Sequence, residues 1–70
     1  MSVYEKQIGG SHYKDMKIQP SEFINKYKLL FAEGNAIKYI CRHKYKGGKE
    51  DLKKAKHYIE MIEERDYDNE

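Results

Sequence analysis

The chain has no tryptophan, one cysteine, one proline and only short apolar runs, and each shortage removes a class of protein. A single cysteine excludes an intramolecular disulfide framework, so 70 residues must fold by packing alone. Cys41 sits between apolar and basic residues in a predicted helix, which suits a small buried thiol better than a nucleophile or a metal ligand. Apolar runs of a few residues form neither a membrane span nor a signal peptide, so a soluble, cytoplasmic setting is expected. A chain of this length makes one small domain, burying only about 60% of the surface its unfolded form exposes. Self-association into a homo-oligomer is therefore expected.

The modest net charge of +2 conceals an asymmetry. Residues 38–59 carry a balance of +6, and residues 60–70 one of −5. Such a dipole draws anionic ligands to one end of the fold and offers an antiparallel or head-to-tail mode of self-association. It argues against a general nucleic-acid binder, whose positive surface would be broader.

Residues 1–19 show no sustained period and read as an N-terminal arm with a glycine loop at Gly9-Gly10. Ile18-Gln19-Pro20 approaches a helix in extended form, and Pro20 fits its first turn, giving a helix over roughly 20–28 with Phe23, Ile24 and Tyr27 on one stripe. Leu29-Leu30-Phe31 is expected to turn the chain into the core. A second helix follows over 32–44, with Ala36, Ile37, Ile40 and Cys41 inward. Gly47-Gly48 ends it, and a third helix over 49–65 buries Leu52, Ala55, Ile59 and Ile62. Residues 66–70 are an acidic tail. The expected fold is a small all-α, three-helix domain, residues 20–65, with an extended arm and an oligomeric state.

Two cationic, glycine-punctuated clusters carry the candidate chemistry. In the first, the Gly9-Gly10 backbone can approach an oxyanion closely, Ser11 donates a hydroxyl, His12 can meet a phosphate or a base edge, and Tyr13 adds a ring. In the second helix Asn35, Lys38 and Arg42 recur at three- and four-residue intervals, so an amide and two cations share a face. Arg42 can grip phosphate with a bidentate fork, while Lys38 and Lys44 act as mobile point charges beside His43. A tight turn at the glycines and a solvated basic surface at the lysines are the plainer alternatives.

Other chemistries find less support. Gly47-Gly48-Lys49-Glu50 lacks the long glycine loop and the following hydroxyl of a Walker-type phosphate loop. His12, Cys41, His43 and His57 match no zinc-finger spacing, and no metal site is assigned. Ser11, His12 and Asp15 are local neighbours rather than a triad, so no catalytic residue is named. Glu33 and the Glu50-Asp51 pair read first as helix-start acids, with ribose or magnesium contact as the alternative.

The ordered series from Gly9-Gly10-Ser11-His12-Tyr13-Lys14 through Ile18-Gln19-Pro20, Glu33-Gly34-Asn35-Ala36-Ile37-Lys38-Tyr39 and Arg42-His43-Lys44 to Asp51-Leu52-Lys53-Lys54-Ala55-Lys56-His57-Tyr58 resembles a small bacteriophage domain family of formerly unknown function, to which a nucleotide-kinase-like role is often attributed. The resemblance implies the cytoplasm of an infected bacterium and a nucleotide or other phosphate-bearing small molecule as ligand. The leading expectation is a non-catalytic homo-oligomer that sequesters a nucleotide or a cyclic-nucleotide defence signal, with no cofactor required for binding. In it Asn35 orients the ligand, Lys38 and Arg42 hold phosphate, Gly10, Ser11 and His12 close over it, and Tyr13 or Tyr39 stacks on the base. The alternatives are a minimal nucleoside-monophosphate kinase using magnesium and a basic interaction module for a host protein or nucleic acid.

Overall fold

A computed structural model describes residues 17–68 as three helices, α1 (Pro20–Lys26), α2 (Phe31–Arg42) and α3 (Gly48–Asp66). The expected all-α, three-helix class is what the chain forms. Gln19 is extended at φ −73° and ψ 148°, as a residue before proline must be, and Pro20 opens α1 where its missing N–H has no partner to lose. The helix ends two residues before the expected boundary because Lys28 enters the left-handed region at φ 52°. There the Lys28 N–H donates to the Asn25 carbonyl at 3.2 Å and the Leu29 N–H to the Ile24 carbonyl at 3.1 Å, a Schellman closure built without glycine.

α2 and α3 are antiparallel and make the main interface, while α1 packs on α2. Gly34 permits that second contact: a methyl group there would lie 3.0 Å from Ile24 Cγ2. A helix-interior glycine costs roughly 0.5–1 kcal/mol relative to alanine, and here the cost is offset by the close approach of α1.

The core is thinner than the apolar pattern suggests. Among the described residues the buried apolar side chains of the helix pair are only Ala32, Ala36 and Ala55, so α2 and α3 meet through small residues. Ile40 is 48%, Leu52 38% and Ile59 42% exposed, against the expectation that all three face inward. Leu30 and Phe31, expected to lead into the core, are 59% and 72% exposed, and Phe23 is 40% exposed. The reason is architectural. Three helices of which one has seven residues supply no second layer to cover the outer edges of the α2–α3 stripe. A radius of gyration of 13.4 Å exceeds the roughly 11 Å of a compact chain this long.

Candidate functional site

The α2–α3 turn is organised by one carboxylate. Asp51, in the first turn of α3, is 1% exposed and receives the Arg42 guanidinium through Nε at 2.8 Å and Nη2 at 3.0 Å. Its Oδ2 also accepts the Gly47 N–H at 3.0 Å, so one side chain holds the turn residue that precedes α3 and clamps the end of α2. The Arg42 guanidinium hydrogen-bonded to it, followed by that amide and by nearby Lys54, holds the Asp51 carboxyl below the ordinary 3.8 despite its burial. Gly47 is favoured by space, since a methyl group there would overlap the Asp51 carboxylate; Gly48 is favoured by its φ of 56°, which a residue with a side chain holds only at a cost, as Lys28 does. The glycine pair is therefore part of the turn's construction.

Beside this clamp lies a ring framed by cations. Arg42 Cζ is 4.7 Å, Lys38 Nζ 4.8 Å and Lys54 Nζ 5.3 Å from the Tyr39 centroid. Tyr39 lies parallel to Tyr58 of α3 with centroids 5.9 Å apart, and Phe31 meets Tyr58 edge-on at 5.7 Å. Three cations thus gather with Asp51 as the carboxylate paired to one of them; Lys38 and Lys54 take part in no ion pair among the described residues. Lys54 is the residue that sequence reasoning missed. Its signal was register: three residues after Asp51 and four before Tyr58, it shares their side of α3.

Lys38 also borders a groove of about 230 Å³ between α1 and α2, lined by Ser21, Ile24, Asn25, Leu29, Leu30, Phe31, Gly34 and Asn35. The Asn35 amide donates to the Phe31 carbonyl at 3.0 Å, which fixes its orientation at the groove wall. The expected trio thus divides: Asn35 and Lys38 line the groove, while Arg42 turns toward Asp51. His43 caps α2, half-buried, with its carbonyl accepting the Gly48 N–H at 2.8 Å, and Lys44 is exposed beyond it. Gly10, Ser11, His12 and Tyr13 lie outside the described residues.

The remaining candidates resolve by contact. Glu33 pairs with Arg65 across the far end of the hairpin, and Glu50 with Lys53 at 3.3 Å. Burial pushes the Cys41 thiol above its ordinary 9.0, the direction that quiets a nucleophile. Among the described residues no three His, Cys, Asp or Glu side chains group as metal ligands, and no helix is long and apolar enough to cross a membrane.

No curated protein and no solved structure matches the chain. The family described as a protein of unknown function (DUF3310) matches residues 8–60, which span α1, α2 and most of α3, and the chain belongs to that family of small phage-associated domains.

Proposed function

We propose that this domain binds a nucleotide without transforming it, with the phosphate at the Tyr39 cation frame and the base in the adjoining groove. The observation that carries this reading is the gathering of Lys38, Arg42 and Lys54 within 5.3 Å of the Tyr39 centroid. Lys38 joins the two halves, because it borders both the ring and the groove. A groove of 230 Å³ is below the roughly 300–1,000 Å³ of pockets that enclose a drug-sized ligand, so it suits a base or sugar rather than the whole molecule. Asn35, already oriented, and Asn25 and Ser21 supply polar groups among apolar walls, the usual composition of such a site. Arg42, anchored by Asp51, gives the frame a fixed charge beside two mobile ones. Capture of a cyclic-nucleotide defence signal is one use of such a site, and His43 and Lys44 at the helix end extend its positive field.

The nucleotide-kinase-like role gains no support from the family description, which names no activity. Phosphoryl transfer would also need carboxylates for magnesium, whereas Asp51 is buried against Arg42 and Glu33 is held by Arg65. Calorimetry with a panel of linear and cyclic nucleotides at low salt tests the binding reading. Lys38→Ala and Lys54→Ala are each expected to weaken binding about tenfold, the scale of one lost charge-assisted contact, with helix content unchanged. Silence across the whole panel overturns the reading. Phosphorylated product with a nucleoside monophosphate would install the kinase, and retention of DNA, RNA or a host protein that nucleotides do not displace would install the interaction module.

A further inference from the structure

Among the described residues the thin core leaves a second face without a partner. Around α3, Tyr58 and Lys54 lie to one side of buried Ala55, while Leu52 and Ile59 lie to the other. Around α2, Tyr39 and Arg42 lie to one side of buried Ala36, and Ile37 and Ile40 to the other. Since Tyr39 and Tyr58 stack, the opposite side of the hairpin gathers Ile37, Ile40, Leu52 and Ile59. Ile40, Leu52 and Ile59 are 48%, 38% and 42% exposed, an apolar stripe on a hairpin whose described residues bury few apolar side chains.

We infer that this face docks a second copy of the chain, the two α3 helices running antiparallel across a twofold axis. Charge complementarity selects the occupant. Lys49, Lys56 and Glu63 recur every seven residues along the edge of the Leu52–Ile59 stripe. An antiparallel copy sets Leu52 against the second copy's Ile59, which brings Lys49 within one residue of the level of its Glu63 and, by symmetry, Glu63 within one residue of its Lys49. Neither Lys49 nor Glu63 has an ion pair among the described residues. Lys56 falls near the axis, where its stem can lie along the apolar stripe while the ammonium reaches water. A parallel copy would set lysine on lysine and glutamate on glutamate. The inference is independent of the nucleotide reading, since the Tyr39 side remains open in such a dimer.

Sedimentation and light scattering of the full chain read the mass directly, and a dimer of the 8.4 kDa polypeptide is expected. Leu52→Glu with Ile59→Glu should give a monomer. Lys49→Glu alone and Glu63→Lys alone should each weaken association about tenfold or more, and the two together should restore it. Both charge changes suit the dipole of α3, one near its start and one near its end, so loss of association would not reflect unfolding. A wild-type monomer at every soluble concentration overturns the inference. So does a dimer indifferent to Leu52 and Ile59, or a double charge exchange that fails to recover the dimer.

Discussion

The two ends of the α2–α3 hairpin are fastened by the same chemical pair in different surroundings. At the turn, Arg42 and Asp51 are 18% and 1% exposed; at the open end, Arg65 and Glu33 are 37% and 28% exposed. Each arginine reaches a carboxylate with two nitrogens, and each carboxyl is held below its ordinary value, chiefly by hydrogen bonds from that arginine. The fork is side-on at the turn, through Nε and Nη2, and end-on at the open end, through Nη1 and Nη2, and water access differs more than the number of contacts. Asp51 additionally holds a main-chain amide, whereas Arg65 divides its donors between Glu33 and its neighbour Asp66. A buried, fully engaged carboxylate makes its partner's removal costly, because the remaining charge has no water to turn to. An exposed one lets water replace the loss.

Replacing Asp51 with asparagine should therefore cause the largest change, loss of most helical signal on mild heating. The variant leaves the Arg42 charge against a neutral amide while keeping the shape. The wild type should also show a deeper acid limb than the variant, which keeps only the contributions of Glu33 and Asp66. Because the folded carboxyl has the lower pKa, the unfolded chain takes up the proton first as pH falls. The pair's contribution is whole above the ordinary 3.8 and is lost as pH drops below it through the folded value. Circular dichroism melts across the acid range read both effects, and an Asp51→Asn protein that melts like the wild type would remove the premise of the comparison.

The helices were readable in sequence because their punctuation is local: Pro20 opens α1, and Gly47-Gly48 separates α2 from α3. The clamp was not readable. An acid in the first turn of a helix already has a local explanation in the helix dipole, so nothing in the pattern assigns Asp51 to an arginine nine residues earlier. Burial failed for a different reason. Periodicity names the apolar face of a helix but not whether another element exists to cover it, and so Ile40, Leu52 and Ile59 were expected inside. Lys54 escaped because its role depends on which α2 residue it crosses, a fact of pairing rather than of composition.

The adjacent glycines separate space from backbone conformation at the same turn. Gly47→Ala should cost about 1–3 kcal/mol, the range for overpacking, since its methyl group must displace the Asp51 carboxylate. Gly48→Ala meets open space but must hold φ near 56°, a left-handed conformation costing about 1 kcal/mol. Urea unfolding of the two variants should rank them in that order. Equal losses would mean that the Asp51 carboxylate yields freely, and the clamp would then be looser than its contacts imply.

Glu33→Gln should produce the smallest change, and salt tells it apart from Asp51→Asn. At the open end the pair is reached by counterions, so raising salt should weaken it in the wild type and erase the small difference between wild type and variant. At the turn the carboxylate is shielded from solvent, and the deficit of Asp51→Asn should persist at the same salt. Melting curves of both variants at low and high salt form the comparison. If the Glu33→Gln deficit also survived high salt, the Arg65 guanidinium would have to act through packing on the end of α2 rather than through its charge, and the hairpin would be fastened equally at both ends.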